Sequence, residues 1–266
     1  TDPIHLLLLK VVRGVLDTRT TNMLTGMFLG IYNVFDWVRL QLEMAEQAGV
    51  YGAHGTDGGA AAGRVAYLFG LTGPCISINT ACSSSVVALD TACQNLQTRT
   101  CFAAIVAGVC LQLHPRSFGD FCVLRALSAN GQCKTFDSKA DGYGRSEACG
   151  AIMLQSTLGN FVDRPAVDES STTSATGSAI NQDGRSASFM APSGIAQQQV
   201  VQRAMEKSMT SALNFIEAHG TGTALGDPIE TAALKYVSTQ VENSFCVSLG
   251  ALKSQMGHAE GAAGIV

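Results

Sequence analysis

The sequence has 266 residues, 46% of them hydrophobic and only 14% charged, so it can bury a large core as one large domain or two packed halves. Its formal net charge of −4 argues against nucleic-acid binding, and its longest apolar run, at 103–111, is too short to cross a membrane. Nine cysteines without a C-x-x-C pair argue against a zinc site and a disulfide framework, and they favour a reducing compartment, the cytoplasm, with a plastid left open.

The N-terminal part of the sequence predicts helices on either side of one strand. A helical pattern of apolar residues runs from Asp2 to Leu16, and the sequence opens inside it, as expected of a chain whose start has been cut off. Four segments follow: a strand at 27–31, a helix at 33–49, a glycine-rich loop at 51–59 and a short helix at 60–69. The loop contains His54, which is expected to be solvated rather than functional.

Residues 74–96 predict a strand, a tight turn and a helix. Ile76 and Ile78 alternate with polar residues, as in a strand, and apolar residues recur at helical spacing from Val86 onward. Small residues fill the turn between them, and among them Cys82 lies where the helix should begin. Unpaired backbone N–H groups and the helix dipole favour a thiolate at such a position. The pattern predicts a nucleophile elbow, and the alternative is a buried structural thiol.

A buried strand at 103–111 completes a strand–helix–strand unit and predicts a parallel sheet. The chain is expected to be rich in loops at 116–151, where turn signals are frequent. The polar stretch at 156–171 has the composition of a junction between two parts of the chain. We therefore predict an N-terminal half at 1–165 and a C-terminal half at 166–266.

Three acidic residues in the loop-rich region, Asp137, Asp141 and Glu147, form a cluster that could suggest a metal. Lysine and arginine residues lie beside them in the sequence. We therefore expect the carboxylates to cap loops and to form ion pairs, and no metal site is predicted.

The C-terminal half is predicted to contain a short strand that runs into a Gly/Thr loop at 215–223. A helix should begin near Asp227, which occupies a capping position before proline. The remaining predicted elements are a strand at 148–154 before the junction, a strand at 176–180, a turn at 181–184, a helix at 194–209, a strand at 247–252 and a small-residue helix from 261.

Four reactive side chains, Cys82, His219, Lys253 and His258, are predicted to lie at strand ends. Sites in open α/β sheets assemble at the carboxyl ends of strands, so we expect these groups to converge. A thiol with two histidines suits acyl transfer through a thioester, and a simple hydrolase would need only one histidine.

Three segments resemble those of ketosynthases (β-ketoacyl synthases) of the type I polyketide synthase kind. The segments read T-A-C-S-S-S at 80–85, E-A-H-G-T-G-T at 217–223 and K-S-x-x-G-H at 253–258. The resemblance covers nearly the whole chain and implies an α/β, thiolase-like fold. Two similar halves, each with a five-stranded mixed sheet, would stack in α-β-α-β-α layers, and the protein would be a homodimer.

The resemblance also implies roles for individual residues. Cys82 would hold the acyl group, and His219 and His258 would donate hydrogen bonds to the thioester oxygen as a malonyl unit loses carbon dioxide. Lys253 would keep both imidazoles neutral. Thr221 and Thr223 would bind phosphopantetheine, or alternatively serve as turn hydrogen-bonding residues. The partner would be an acyl carrier protein bearing malonyl and acyl thioesters on phosphopantetheine, with no cofactor bound to the chain itself and a polyketide or fatty acyl product.

Departures from the family leave alternatives open. The chain is shorter than the family's unit, so the resemblance implies truncation at both ends. A later Gly-Phe-Gly-Gly loop that supplies part of the oxyanion hole is not in the sequence, so we expect weak condensation or none. The alternatives are a truncated or inactive ketosynthase-like protein and a thiolase-like coenzyme A acyltransferase, although the second cysteine base of thiolases is missing beside His258. A cysteine protease would leave Lys253 and one histidine without a role.

Overall fold

The chain forms two compact units that are discontinuous in sequence. A computed structural model describes residues 1–16, 24–33, 35–44, 49–50, 52–156, 173–209, 213–240 and 247–266. Unit 1 comprises Thr1–Gly119, Ser146–Ser170 and Ala259–Val266, and unit 2 comprises Asp120–Arg145 and Ser171–His258. The predicted halves divide the chain at one position only and stay a prediction. Their junction lies almost wholly outside the described residues.

Unit 1 is built on a four-stranded mixed sheet. Its strands are β1 (Thr25–Ile31), β2 (Cys75–Ile78), β3 (Ala103–Cys110) and β4 (Ala148–Gln155). They lie in the order β2-β1-β3-β4, with β1 parallel to both β2 and β3, and β4 antiparallel to β3. Every residue of β1 and β3 is buried, which explains why their sequences are almost continuously apolar. The predicted parallel core is confirmed.

Helices cover both faces of this sheet. The helices of unit 1 are α1 (Pro3–Val15), α2 (Phe35–Glu43), α3 (Gly52–Gly55), α4 (Gly58–Phe69) and α5 (Ser84–Gln97), and α6 (Pro115–Val123) runs from unit 1 into unit 2. Of these, α1, α4 and α5 pack against the strands. Because successive strand residues point to opposite faces, Met27 and Leu29 pack with α1 and α4, whereas Phe28 packs with α5. The helix that follows the predicted nucleophile turn therefore packs on an apolar core.

Two segments of the N-terminal part of the chain differ from the sequence-based prediction. Residues 51–59 were predicted to be loop, but α3 and the start of α4 occupy much of that range, with the Asp57 carboxylate accepting a hydrogen bond from Ala60 N (2.8 Å) as the helix cap. The start of the predicted loop region at 116–151 is instead α6, which has proline at its first position, where the missing N–H costs nothing.

Unit 2 contains the parallel strands β5 (Phe215–Glu217) and β6 (Ser248–Gly250). Its helices in the described residues are α7 (Gly194–Ser208), α8 (Gly226–Thr239) and the short α9 (Lys253–Met256), and α7 packs on α8. The strand predicted at 176–180 is wrong, because these exposed or half-buried, mostly small residues are irregular and pair with no strand that the structure describes.

The predicted strand count was also wrong for the described residues. The structure describes four strands in unit 1 and two in unit 2, instead of five in each half. The strand predicted at 247–252 shrinks to three residues, and the helix predicted from 261 is a 3-10 turn at Glu260–Ala262, which belongs to unit 1. Segments this short give no readable periodicity. Within the described ranges, the structure has no helix that is both long and apolar enough to cross a membrane.

Candidate active site

Cys82 lies in a tight turn between β2 and α5 of unit 1. The strand ends at Ile78 and the helix begins at Ser84. Ala81 has a φ of 55°, in the left-handed region that residues with a Cβ rarely adopt. This strained residue turns the chain so that half-buried Cys82 lies immediately before the first turn of α5. The structure therefore has the predicted strand, turn and helix.

The serine hydroxyls around Cys82 stabilise the turn rather than cap the helix. The Ser84 hydroxyl accepts a hydrogen bond from Thr80 N (2.8 Å) and donates one to Ala81 O (2.6 Å). The Ser83 hydroxyl donates to Thr80 O (2.9 Å) and makes no capping bond to the helix. Because the Ser83 hydroxyl bonds to Thr80, it does not accept a hydrogen bond from the backbone N–H groups at the start of α5, beside Cys82.

Glycines in the sheet allow α5 to approach closely. A Cβ added at Gly30 of β1 would lie 2.4 Å from Ser85 N, and one added at Gly108 of β3 would lie 2.9 Å from Ser85 Cβ. Both distances are far below van der Waals contact, so any side chain at either position would displace the first turn of α5. The position of Cys82 thus depends on two residues of neighbouring strands.

The two candidate histidines lie together in unit 2. His219 follows β5, and the backbone N–H groups of His219 and Gly220 donate to the two carboxylate oxygens of Glu230 on α8 (2.6 and 2.8 Å). His258 follows α9, and its backbone N–H donates to Gly144 O (2.7 Å). The two imidazole centroids are 5.3 Å apart and nearly perpendicular, at 87°.

Both imidazoles are neutral near neutral pH. Burial, and then the charge of Lys253, lower the pKa of His219 to about 4. Burial, followed by His219, Lys253 and Arg145, lowers the pKa of His258 to about 3. His258 is almost fully buried. His219 is exposed to solvent, although enough protein surrounds its ring to disfavour the charged form. A neutral imidazole can donate one N–H bond without carrying charge.

Lys253 and the threonine loop complete the predicted residues of unit 2. Lys253 is the half-buried first residue of α9, and its charge acts on both histidines. Thr221 is buried and Thr223 half-buried, with their hydroxyl oxygens 3.3 Å apart. Gly222 between them has a φ of 76°, which glycine adopts without strain. The Thr223 hydroxyl also accepts from Gly226 N (3.2 Å), so part of its hydrogen bonding serves the turn.

Asp227 supports this loop in a way that the sequence did not reveal. It was predicted to cap α8, but its buried carboxylate accepts from Gly222 N (3.1 Å) and from Phe136 N (2.8 Å). One side chain therefore ties the threonine loop to a turn far away in the sequence. An Asp-Pro pair directly after a glycine-rich loop was the only available signal.

The acidic residues that could have suggested a metal have protein partners instead. Asp141 forms an ion pair with Lys134 at 2.7 Å, and Asp137 accepts from Lys139 N at 2.7 Å. Glu147 lies in unit 1, where it accepts from Gln112 N at 2.7 Å. These contacts agree with the predicted roles in capping and ion pairing.

The structure thus brings His219, His258 and Lys253 together in unit 2, and it presents Cys82 at an elbow in unit 1. A mixed α/β sheet with a cysteine elbow, together with paired neutral histidines, defines a thiolase-like protein. The chain belongs to the β-ketoacyl synthase family. The family model for the N-terminal domain of β-ketoacyl synthase matches residues 1–158, and the model for the C-terminal domain matches residues 173–266.

Similar proteins of known sequence are large polyketide-type synthases. The chain is 38% identical over 274 residues to mycoketide-CoA synthase of Mycobacterium tuberculosis, an alignment that covers 99% of this chain and 6% of that protein. It is 39% identical over 245 residues to erythronolide synthase EryA3 of Saccharopolyspora erythraea, covering 91% and 8% respectively. The chain therefore spans only a small part of these relatives.

Two solved ketosynthases have the same fold. The oxazolomycin ketosynthase domain OzmH KS7 of Streptomyces albus has a TM-score of 0.85 and 29% identity, covering 99% of this chain and 46% of that one. The ketosynthase from module 6 of the bacillaene synthase of Bacillus subtilis has a TM-score of 0.83 and 33% identity, covering 99% and 46%. The predicted thiolase-like α/β class and the predicted family are confirmed.

Proposed function

We propose that the chain belongs to a polyketide synthase ketosynthase domain and contributes the reactive groups for a decarboxylative Claisen condensation. An acyl group on Cys82 is extended with a malonyl unit delivered by an acyl carrier protein. The observation that carries the proposal is the pair of neutral, adjacent imidazoles of His219 and His258 in a chain of this family that also has a cysteine elbow.

In the first half of the reaction, the Cys82 thiolate attacks the carbonyl carbon of an acyl thioester. The tetrahedral intermediate collapses, the carrier thiolate leaves and takes up a proton, and the acyl group remains on Cys82. The position of Cys82 just before the first turn of α5 supports this role, because helix N-termini stabilise thiolates.

In the second half, a malonyl thioester loses its carboxylate as carbon dioxide. The electrons of the broken carbon–carbon bond form an enolate, whose negative charge develops on the thioester oxygen. Neutral His219 and His258 donate N–H bonds to that oxygen, and preorganised donors of this kind stabilise developing charge strongly. The enolate carbon then attacks the acyl carbonyl, a new carbon–carbon bond forms, and Cys82 leaves as a thiolate.

Lys253 and the threonine loop support these steps. The positive charge of Lys253 lowers the pKa of both histidines, which keeps them uncharged donors. Thr221 and Thr223 bind the amides of the phosphopantetheine arm, and the positive φ of Gly222 keeps their loop compact. The acyl carrier protein is the partner, and phosphopantetheine enters only as part of the carried malonyl and acyl thioesters.

A homodimer and a cytoplasmic location belong to the same proposal. Strand β2 pairs only with β1 among the described strands, and it exposes Cys75 and Ile76 at the edge of the sheet. Exposed sheet edges tend to pair with a further strand, which supports self-association there. Ile76→Lys should shift the protein toward monomer in light scattering, whereas Val123→Lys, at another exposed apolar residue, should not. A monomeric unmodified chain would contradict the dimer. The nine cysteines support a reducing compartment.

Mass spectrometry and carbon dioxide release test the reaction separately. Acyl transfer from an acyl carrier protein should add one acyl mass to the chain and should be lost in Cys82→Ala. His258→Ala should lower release of carbon dioxide from malonyl carrier protein by about 100-fold or more, because one oxyanion donor is lost. His54→Ala replaces an exposed histidine and serves as the control. Unchanged release in His258→Ala would refute the proposed role.

A further inference from the structure

The residues after His258 form a segment, 259–266, that packs within unit 1. We refer to it as the anchor segment. Ile265 joins the apolar cluster beneath α5, where it lies against Gly108 and Gly150 of the sheet. A Cβ added at Gly261 would lie 2.7 Å from Tyr32 Cβ, so the segment also touches the chain just after β1. The anchor segment is therefore closely fitted to the core of unit 1.

One hydrogen bond joins the anchor segment to the helix that begins at the cysteine elbow. The backbone N–H of Gly264 donates to the Ser85 hydroxyl at 3.0 Å. Ser85 is fully buried in the first turn of α5, and its backbone is pressed against Gly30 of β1. Ser85 therefore cannot move without moving the helix, which makes it a rigid acceptor.

The backbone of His258 is fixed by contacts in unit 2, and the residue that follows it in the chain belongs to unit 1. On its N-terminal side, its backbone N–H donates to Gly144 O, and it forms an isolated β-bridge with Arg145 in unit 2. On its C-terminal side, the next residue is the first of the anchor segment in unit 1. No intervening residues separate these two attachments, so the backbone of His258, from which the imidazole projects, has little freedom to shift.

We propose that Ser85 is a positioning residue for His258, because it holds the anchor segment and thereby fixes the imidazole that stabilises the enolate. This inference rests on the proposed function for its catalytic meaning. The Ser85 hydroxyl touches no reacting atom in this mechanism. It acts through the short backbone and the packed residues that join Gly264 to Ala259 and His258.

Two substitutions disturb this attachment from opposite sides. Ser85→Ala removes the acceptor and leaves the helix intact, since alanine is a good helix former. Gly264→Ala adds a Cβ that would lie 2.1 Å from Val86 Cγ2, so the anchor segment must move away from α5. Thr91→Ala is the control for the first, because its hydroxyl bonds to Val87 O within the same helix. Gly63→Ala is the control for the second, because its Cβ would meet nothing within 4 Å.

Nuclear magnetic resonance titration of the His258 imidazole measures its pKa, which responds to its burial and to the charges around it. We expect the pKa of His258 to rise toward its ordinary value in Ser85→Ala and in Gly264→Ala, and to stay low in both controls. We also expect kcat for release of carbon dioxide from malonyl carrier protein to fall by about tenfold with KM unchanged, while acylation of Cys82 keeps its rate.

The outcomes separate this inference from the proposed function. If Ser85→Ala and Gly264→Ala both leave the His258 titration and kcat unchanged, or if they change only the unfolding temperature, Ser85 is merely structural and the inference is overturned. If the unmodified chain releases no carbon dioxide, the proposed function fails, and the titration alone then decides whether Ser85 positions His258.

Discussion

Replacing Asp227 with asparagine tests how one buried carboxylate organises unit 2. The side chain is 4% exposed, and each of its two oxygens accepts one backbone hydrogen bond, from Gly222 and from Phe136. Asparagine has nearly the same shape but only one acceptor oxygen, and its NH2 group would face the second backbone N–H. Whichever way the amide is oriented, one of the two loops loses its partner.

The expected loss follows from these two bonds. A hydrogen bond to a charged group contributes about 1.5–3 kcal/mol, and an unsatisfied buried N–H costs about 1–3 kcal/mol. Because these two contributions describe the same broken contact, they overlap and do not add fully. We expect Asp227→Asn to lower the free energy of unfolding by about 2–4 kcal/mol. The loop that carries Thr221 and Thr223 should loosen as well, which should raise KM for the carrier-borne malonyl substrate.

Urea unfolding with an unchanged m value measures the stability loss. Asp137→Asn is the matched control, because that carboxylate is exposed and accepts a local bond from Lys139 N. It should change stability by less than about 0.5 kcal/mol, as surface substitutions usually do. If Asp227→Asn costs no more than this control, the two hydrogen bonds do not stabilise the loops and the reasoning is wrong.

Three further outcomes are expected. Gly30→Ala should lower stability by about 1–3 kcal/mol through overpacking and should slow alkylation of Cys82, as followed by thermal unfolding and iodoacetamide kinetics; normal alkylation would contradict the packing account. The pKa of His258 is lower in the folded chain than its ordinary 6.5, so the unfolded state binds the proton first. Stability should therefore fall as pH decreases below about 6.5 toward the folded value, and the fall should be shallower in His258→Gln; equal slopes would disagree. Burial raises the pKa of Cys149 to about 11, so peptide mass spectrometry should find it unlabelled under conditions that label Cys82.

Most elements of the central sheet could be predicted because each has a distinct pattern of apolar residues in its own stretch of sequence. Strands β1 and β3 are buried on both faces and therefore read as continuous apolar runs, and α5 shows a clear helical period. The antiparallel direction of β4 could not be read, because strand direction depends on pairing across the sheet. Strands β5 and β6 were predicted from short apolar runs, but with three residues each they show no period that could fix their bounds.

For the candidate site, the reactive residues could be predicted from the sequence, but the contacts that position them could not. Cys82, His219, Lys253 and His258 stand in short motifs of small and reactive residues, so the sequence alone could select them. The contacts that hold them could not be selected. Asp227 binds a residue 91 positions away, and the Gly264–Ser85 bond spans 179 positions. Such contacts exist only after the chain has folded.

The left-handed backbone at Ala81 has a consequence for laboratory evolution of this protein. Alanine in that region costs about 1–2 kcal/mol relative to the right-handed region, a cost that glycine does not bear. A screen for heat tolerance alone will therefore accept glycine at position 81 and relax the turn beside the thiol. Variants selected for heat tolerance should therefore be sequenced at position 81 before their kcat values are compared, because the residue that gives the highest stability need not give the highest activity.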